Sequence, residues 1–378
     1  MPEFSVLKTP LENAMKLACL STETSENTIT GHCLFEVGDT SLKILATDNR
    51  NRLSKAVIDI PAGHAMSFTA DPRKVLKLIK TVETPSVRLE FLPESMTLQI
   101  YLSDTQDSYV SLPSFDPKSY APITDNFEKA FDLKKVNAAV FSAGIQFIKG
   151  LLDLKDQKFS NMYITKGVMY GSNGNSKAGA FSSPDLNDLD ELVFPISTFP
   201  AVASLIEALD LQDILISTSS NHIFVNSPAK DFIFGFTKVQ IKMPKIPINV
   251  DEPSFGGWTI DKNLFLKKLG RLQLSGDSKM GVKCVFKGDR INFITIADRS
   301  SKDFMPCIRK KEPEDIECLA ECRLLENALS QFGGSDIDFY VKRKIILFKR
   351  GELEYLVEGI KGIQPFVSAA AVSLSSVE

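Results

Sequence analysis

The chain has 378 residues, which is more than one ordinary domain holds and predicts two or three. Hydrophobic residues make up 43% and charged residues 24%, a balance that supports normal buried cores and excludes a largely disordered chain. The 44 Lys and Arg residues against 47 Asp and Glu residues give a net charge of -3. This excludes a uniformly basic, histone-like nucleic-acid binder but not a local basic surface.

Two further features concern the compartment. No apolar run in the sequence approaches the ~18 residues that a membrane span needs. The six cysteines have no regular spacing, which favours free thiols in a reducing environment over a disulfide framework. We therefore expect a cytoplasmic protein.

The first third of the chain predicts two helices followed by a strand hairpin. Thr9 and Glu12 fit a capping box ahead of apolar residues at helical spacing, and Asp71 caps a second helix. Alternating apolar residues then predict a strand from Val87, a turn at 93–95 and a returning strand. The proline-rich stretch that follows, 112–117, is typical of an interdomain connector.

The remaining two thirds repeat this order. In the second, helices are predicted from Asp132 and Pro200, a strand from Ile214, and a proline-rich connector at 243–247. In the third, Asp261 is the expected N-cap of one helix and Ala320 leads into another. A strand from Ile337 follows, and the chain after Gly362 is small and polar, as flexible tails are.

The recurrence has a period of about 126 residues. First helices are predicted to start at 9, 132 and 261, and the strands after the second helices at 87, 214 and 337. We predict an α+β fold of three repeated domains, each with two helices packed on antiparallel sheets. The predicted boundaries are 1–122, 123–250 and 251–362, with a flexible tail at 363–378.

The net charge hides a segregation between helices and the rest of the chain. The six predicted helical segments sum to +6, which leaves -9 elsewhere. Arg73, Lys77 and Lys80 lie on one helical face, and a similar basic face lies at 267–271. Without interleaved aromatic residues, such faces suit sequence-independent phosphate contact better than base readout. The alternative is an ordinary solvated surface.

No constellation of residues predicts catalysis, a cofactor or a metal. The three histidines (His32, His64 and His222) fall in unrelated contexts, and no nucleophile, base and orienting group occur together. The glycine-rich stretch 171–175 lacks the Gly-Lys-Ser/Thr of a phosphate loop and predicts a hairpin turn. We expect a protein that is not an enzyme, and an enzyme of unrecognised chemistry is kept as an alternative.

Three segments resemble one known family. Leu45–Leu53 contains an Ala-Thr-Asp motif, 109–122 forms the first connector, and 296–299 echoes the motif in the third copy. Together with the three copies, they resemble the bacterial sliding clamp, the β subunit of DNA polymerase III, over about residues 4–362. The sequence resembles a divergent phage or plasmid member of this family, so a bacterial or phage-infected cell is the expected setting.

The resemblance implies a non-catalytic mechanism. Two subunits would join head to tail in a closed ring that encircles double-stranded DNA without reading its sequence. The ring would hold a DNA polymerase on its template by raising the effective concentration, after an ATP-driven clamp loader had opened it. The residues expected to face DNA are Lys16, Arg73, Lys74, Lys77, Lys80, Lys134, Lys135, Lys149, Lys267, Lys268 and Arg271.

The resemblance also implies a pocket for partner peptides between the second and third domains. By position it would contain Phe159, Ser172, Asn173, Gly174, Asn175, Pro244, Leu356, Val357, Gly359 and Ile360. The family's Thr-Asp-Gly-His-Arg loop is replaced here by 172–176, and Glu358 occupies a usually apolar position, so a different peptide preference is expected. The candidate dimer contacts are Tyr109, Leu272 and Leu274. The alternative function is a clamp-fold, peptide-binding scaffold that does not encircle DNA.

Overall fold

The computed structural model describes most of the chain and six α-helices within it. The helices are α1 (Lys8–Ser21), α2 (Pro72–Thr81), α3 (Ala138–Lys149), α4 (Phe199–Ala208), α5 (Lys262–Gln273) and α6 (Cys322–Ser330). The described residues are 3–25, 28–103, 108–120, 131–153, 155–156, 158–174, 177–189, 191–241, 256–274, 281–296, 301–311, 315–342, 345–351 and 353–358.

The described residues also form 25 strands, and the order of elements repeats three times. The first copy contains β1 (Glu3–Leu7), β2 (Cys33–Val37), β3 (Ser41–Thr47), β4 (Arg52–Asp59), β5 (Met66–Ala70), β6 (Ser86–Leu92), β7 (Thr97–Tyr101) and β8 (Tyr109–Pro113). The second contains β9 (Phe131–Asn137), β10 (Asn161–Thr165), β11 (Val168–Ser172), β12 (Lys177–Ser182), β13 (Leu192–Pro195), β14 (Asp213–Thr218), β15 (His222–Asn226) and β16 (Phe232–Thr237). The third contains β17 (Gly256–Asp261), β18 (Gly281–Lys287), β19 (Arg290–Ile296), β20 (Lys302–Pro306), β21 (Ile308–Lys311), β22 (Asp315–Glu321), β23 (Asp336–Lys342), β24 (Ile345–Arg350) and β25 (Leu353–Glu358).

Each copy has one strand, one helix, a set of strands, a second helix and three further strands. The strand before the first helix always pairs antiparallel with the strand after the second helix, as β1–β6, β9–β14 and β17–β23. The third copy has one additional strand, β21, which pairs with β17. The α+β fold with antiparallel sheets is thus confirmed, and the strands expected from 87, 214 and 337 begin one residue earlier.

The chain divides into two compact units. The first unit comprises residues 1–142 and 197–240. It contains a four-stranded sheet in the order β1-β6-β7-β8 and an eight-stranded sheet in the order β5-β2-β3-β4-β16-β15-β14-β9. Phe68 stacks on Phe35 (ring centroids 4.8 Å apart) and on Phe91 (5.1 Å) in its core.

The second unit comprises residues 143–196 and 241–378. Its nine-stranded sheet runs β13-β10-β11-β12-β25-β24-β23-β17-β21, and its four-stranded sheet runs β20-β19-β18-β22. Trp258, which is fully buried, stacks on Phe286 with ring centroids 4.1 Å apart. The strands of the second copy are therefore shared between the two units, whereas the boundaries expected at 122 and 250 stay predictions.

The two large sheets are each built from two half-sheets that meet at one strand pair. In the first unit β4 of the first copy pairs with β16 of the second. In the second unit β12 of the second copy pairs with β25 of the third. In both junctions the pairing is antiparallel and joins equivalent strands. The equivalent strands that are left, β8 and β20, are end strands of the two four-stranded sheets among the described residues.

The helix starts partly follow the predicted caps. Asp71 accepts a hydrogen bond from the Arg73 N–H at 2.9 Å, and Asp261 accepts one from the Leu264 N–H at 2.7 Å, so these two N-caps are confirmed. The capping box at Thr9 and Glu12 is wrong. The helix begins earlier, after an N-cap residue without a side-chain bond, and Glu12 instead pairs with Lys16 one turn further on.

The helix predicted from Asp132 is also wrong at its start. Residues 131–137 form β9, where Val136 is buried opposite Ile214, and α3 begins only after Asn137, whose side chain accepts from the Val140 N–H at 3.1 Å. The apolar residues at helical spacing across 136–147 therefore belong to two elements: Val136 to β9 and the others to α3. Pairing of β9 with β14 overrides the local helical period.

The first helices of the outer copies carry the same lysine at their first position. The amine of Lys8 donates to the carbonyl of Val82, at the end of α2, and that of Lys262 donates to the carbonyl of Phe332, beyond α6, at 2.7 Å. The middle copy has Ala138 there. Each amine thus satisfies a carbonyl at a helix C-terminus, where positive charge is favourable. Among the described residues, none of the helices has the length and apolar character that crossing a bilayer requires.

Candidate DNA-facing helices and candidate peptide pocket

Helix α2 presents cations opposite a small apolar face. Val75 and Ile79 are buried, whereas Lys77 and Lys80 are exposed. Arg73 is turned toward the end of α1, where its guanidinium donates to the carbonyls of Cys19 and Thr22, both at 3.3 Å. The exposed cationic surface of this helix therefore comes mainly from its second half.

Helix α5 has the same design. Phe265, Leu269 and Leu272 are buried, and Lys267 and Arg271 are exposed one turn apart.

Lys268 differs from its neighbours on α5. Its amine lies 2.7 Å from the Asp303 carboxylate, and its side chain is only 13% exposed. Burial tends to raise the pKa of Asp303, but hydrogen bonds from Lys268 and from the Phe304 N–H outweigh it and the pKa is lowered. Lys268 therefore fixes β20 to the helix and contributes little free charge.

The other predicted DNA-facing residues are scattered. Lys16 lies 3.0 Å from Glu12 on α1, and Lys149 is exposed at the end of α3. Lys134 and Lys135 are on β9, not on a helix, and the amine of Lys135 lies 2.8 Å from Asp213. The exposed cations of α2 thus lie in the first unit and those of α5 in the second, and these four residues lie on other elements.

The segregation of charge is larger than the sequence predicts. The six described helices contain twelve Lys and Arg residues and three Glu residues, a net charge of +9. With -3 for the whole chain, the remainder carries -12. The increase over the expected +6 arises because Asp71, Asp210, Asp261 and Glu321 lie outside the helices, which outweighs the loss of Lys134 and Lys135 together with Asp132.

The candidate peptide pocket is anchored by the turn between β11 and β12. The Ser172 hydroxyl donates to the Lys177 carbonyl and accepts from the Gly174 N–H, both at 2.9 Å, and the Asn173 side chain accepts from the Lys177 N–H at 3.0 Å. The hairpin expected from 171–175 is confirmed. Gly174 has a φ of +76°, a left-handed conformation that glycine adopts without strain.

Phe159 lies directly over this turn. A Cβ added to Gly174 would be 2.4 Å from the Phe159 ring, so the ring packs against the glycine backbone. Leu356 and Val357 are on β25, opposite Ala178 and Lys177 of β12. The other four predicted pocket residues, Asn175, Pro244, Gly359 and Ile360, lie outside the described residues.

The two end strands β8 and β20 each carry an exposed aromatic side chain. Tyr109 on β8 is 49% exposed, and its ring lies 5.7 Å from Tyr101, over which the Arg88 guanidinium sits at 3.6 Å. Phe304 on β20 is 51% exposed, with the Arg290 guanidinium 3.8 Å from its ring.

Of the predicted dimer contacts, Tyr109 and Leu274 are exposed, the latter by 89%. Leu272 is a correction: only 3% of it is exposed, because it lies on the buried face of α5. Sequence analysis missed Phe304 and Arg290. The sequence signal for Phe304 was an aromatic residue next to the charged Asp303 in a short strand, a pattern that places an aromatic side chain at the surface. Among the described residues, no group of three or more His, Cys, Asp or Glu side chains could hold a metal ion.

No protein-family model and no curated protein matches the sequence. Solved structures do match. The chain is similar to the DNA polymerase III subunit β from Pseudomonas aeruginosa, with 12% identity and a TM-score of 0.79 over 95% of this chain and 99% of that one. It is also similar to the β subunit from Thermotoga maritima and the DNA polymerase sliding clamp from Caulobacter crescentus, each with 13% identity and a TM-score of 0.79 over 96% of this chain and 100% of that one. The chain therefore has the fold of the bacterial DNA polymerase III β subunits, the sliding clamps.

Proposed function

We propose that the protein is a DNA sliding clamp, a processivity factor whose ring of two subunits encircles duplex DNA and tethers replication proteins to it. The observation that carries the proposal is the repetition of the strand junction. The first two copies meet as β4–β16 and the second and third as β12–β25, which leaves the equivalent strands β8 and β20 as sheet ends. Pairing β20 of one subunit with β8 of the next would extend the same junction between molecules.

A closed ring removes the liability of these edges. An end strand presents unpaired backbone groups and invites further strands to add. A heterologous, head-to-tail contact of this kind forms a ring when its rotation closes. Two chains with three copies each give the six-domain ring that the sliding-clamp resemblance implies.

The charge distribution supports contact with nucleic acid backbone. The exposed cations on α2 and α5 are lysines and an arginine without a neighbouring base-reading amide array. Such groups bind phosphates regardless of sequence, which lets a protein slide. The negative remainder of the chain would disfavour phosphate contact elsewhere.

The pocket at Phe159 and the 172–177 turn would bind peptides from a polymerase and from an ATP-driven loader. A tethered polymerase rebinds its template at a high effective concentration, which is how the ring would act without making or breaking a bond. This function needs no catalytic residue, cofactor or metal.

Retention on circular and linear DNA tests the proposal. Loaded protein should stay on a nicked circular plasmid and leave after linearisation, because only topology holds it there. Lys77→Glu together with Lys80→Glu should reduce the amount of protein loaded onto the circle and flatten the salt dependence of loading, because phosphate contacts are lost. The control variant, Lys118→Glu together with Lys155→Glu at exposed positions outside the six α-helices, should behave as the unaltered protein.

Equal retention on both DNA forms would contradict encirclement. The second candidate, a peptide-binding scaffold of the same fold, is favoured by the altered 172–176 loop. It predicts indifference to both pairs of substitutions, with peptide binding preserved.

A further inference from the structure

The helices meet at both intrachain junctions in a repeated way. In the first unit, α1 of the first copy contacts α4 of the second. The Asn13 side-chain amide donates to the carbonyl of Ala208, the last residue of α4, at 2.8 Å. A first helix therefore packs against the C-terminal end of the next copy's second helix.

The second unit shows the same relation between α3 and the end of α6. The rings of Phe147 and Phe332 have centroids 6.0 Å apart. A Cβ added to Gly150 would be 3.0 Å from the Gln331 side-chain oxygen, so the end of α3 lies against the residue that follows α6. The two junctions thus share both a strand pair and a helix contact.

Equivalent positions along the helices identify the residues expected to make this contact at the junction that would close the ring. Asn13 and Phe147 are the sixth and tenth residues of their helices, and Gly150, directly after α3, is thirteenth from its start, a spacing that places the three on one face. In α5 these positions are Lys267, Arg271 and Leu274, which are all exposed.

The other side of the contact is the end of a second helix, and its residues also occupy equivalent positions. Ala208 and Gln331 lie ten residues after the N-caps Thr198 and Glu321. Ten residues after the N-cap Asp71 is Thr81, at the end of α2 and next to Lys80.

We propose that the ring-closing junction brings exposed cations of α5 in one subunit against exposed cations of α2 in the next, so that duplex DNA is a ligand of the junction itself and stabilises ring closure. The inference rests on the proposed clamp function and assigns a regulation to it. Free rings would be held together against this repulsion, and DNA threaded through them would relieve it.

The charges distinguish this junction from the other two. Helices α1 and α4 carry +1 and -1, and α3 and α6 carry +1 and 0, whereas α5 and α2 carry +4 each. Four of these eight cations are half-buried, and three of the four already bind a carbonyl or a carboxylate of their own subunit. The four are Arg73, Lys74, Lys262 and Lys268.

The other four are Lys77, Lys80, Lys267 and Arg271, all exposed. Among the described residues, no carboxylate lies within 4.0 Å of the three lysines, and Arg271 is 3.9 Å from Asp303. Their mutual repulsion is therefore screened only by solvent and salt, or by a polyanion.

Equilibrium dissociation of the dimer at low and high salt is the first test. Without DNA, raising NaCl from about 50 to about 500 mM should tighten the dimer about 3- to 10-fold, because each ring has two such junctions and salt screens repulsion at both. A short duplex at low salt should tighten it by about 10-fold, and by linkage the dimer should bind the duplex more tightly than the monomer does. Sedimentation velocity or subunit exchange between labelled chains measures both effects.

Lys80→Glu supplies the matched variant. Glu207 occupies the equivalent position, nine residues after the N-cap, at the first intrachain junction. The variant should tighten the free dimer about 10-fold at low salt and lose most of the stabilisation by duplex, since an attraction replaces a repulsion. Lys267→Gln should act in the same direction more weakly, and Lys118→Glu, which lies outside α2 and α5, should leave the dimer unchanged.

The outcomes separate this inference from the function on which it rests. A dimer that weakens as salt rises, and weakens again with Lys80→Glu, would overturn the coupling while leaving the ring intact. A chain that stays monomeric at every salt concentration and with duplex would overturn the proposed clamp itself.

Discussion

Asp48 organises the turn between β3 and β4 through one carboxylate. Its Oδ1 accepts hydrogen bonds from the N–H groups of Arg50, Asn51 and Arg52 at 2.8–3.0 Å, and its Oδ2 lies 3.1 Å from the Arg52 guanidinium. Asn49, which follows Asp48 in this turn, adopts a φ of 56°, a conformation that Asn tolerates better than most residues. The Ala-Thr-Asp motif therefore has a structural explanation in this chain.

We expect Asp48→Ala to lower the free energy of unfolding by about 2 kcal/mol at neutral pH, since three donors lose their acceptor. The exposed Asp59→Ala at the end of β4 is the control. Urea unfolding of both variants measures the effect. A loss no larger than that of the control would contradict the role assigned to this carboxylate.

The pH dependence of the Asp48 contribution has a definite sign. Burial raises the pKa of this carboxyl, but the hydrogen bonds from Arg52, Asn51 and Arg50 outweigh it, and the pKa is lowered. Its stabilisation is therefore present above the unfolded value of about 3.9 and lost as pH falls through the folded value. The difference in stability between the unaltered chain and Asp48→Ala should shrink when urea unfolding is repeated below that pH.

Gly174 offers a second prediction at this scale. Gly174→Ala should weaken peptide binding, because the added methyl meets the Phe159 ring and the φ of +76° is unfavourable for alanine. We expect a stability loss of about 1 kcal/mol and a displaced ring, read by NMR shifts of Phe159 and by titration with a clamp-binding peptide. Gly288→Ala, at a position that also has a positive φ but no neighbour within 4 Å, controls for backbone strain alone. Equal effects of the two substitutions on peptide binding would remove the ring contact as the cause.

Single residues were predictable where the cap and the pattern were local. Asp71 and Asp261 cap the helices they were expected to cap, since a carboxylate before an amphipathic run needs only its own helix. The environment of Lys268 was not predictable, because its partner Asp303 lies 35 residues away on another element.

At the scale of elements, the lysine at the start of α5 connects two helices. Lys262→Met should destabilise the second unit by about 1 kcal/mol, because the carbonyl of Phe332 loses a charged donor while the aliphatic volume is kept. Lys267→Met, on the exposed face of the same helix, is the control. Thermal unfolding measures both, and equal midpoints would show that the 2.7 Å contact contributes nothing.

Element types followed from periodicity, but some boundaries did not. The strands after each second helix have clear alternation and were predicted within one residue of their start. The β9–α3 boundary was misplaced because a strand and a helix that follow each other directly can share an apolar spacing by coincidence. Only the pairing of β9 with β14, more than 70 residues later, fixes Asp132 in a strand.

At the scale of the whole molecule, the strand registers make a prediction about the ring-closing edge. In β12–β25, Ala180 pairs with Glu354, and the equivalent positions in β20 and β8 are Phe304 and Tyr109. The β4–β16 register is shifted by two residues, which places Tyr109 opposite Lys302 on the same face. In either register the two exposed aromatic residues would be neighbours.

Phe304→Ala and Tyr109→Ala should therefore each raise the dissociation constant of the dimer about 10-fold. The double variant should raise it by less than the product of the two single effects, because the two rings contact each other. Ile308→Ala, which is 68% exposed on β21, is the control. Subunit exchange gives the dissociation constants. Strict additivity of the two substitutions would place the rings apart.

The antiparallel sheets and the basic helices were predictable, because each depends on patterns within about 30 residues, and the three copies followed from the recurrence of those patterns along the chain. The mixing of copies within one sheet was not. Nothing in the local pattern of β4 indicates that its next neighbour is β16, more than 170 residues further along the chain. Backbone pairing of this kind carries little sequence signal of its own.

The β4–β16 pair has a consequence for how the chain is made. When only the first 122 residues have been synthesised, β4 is an open sheet edge that carries Leu53 and Ala56. Its partner strand, β16, does not yet exist. An open apolar edge on a nascent chain is a site for aggregation. The eight-stranded sheet can be completed only once residue 237 has emerged, so the first copy is exposed to misassembly until the second is almost finished.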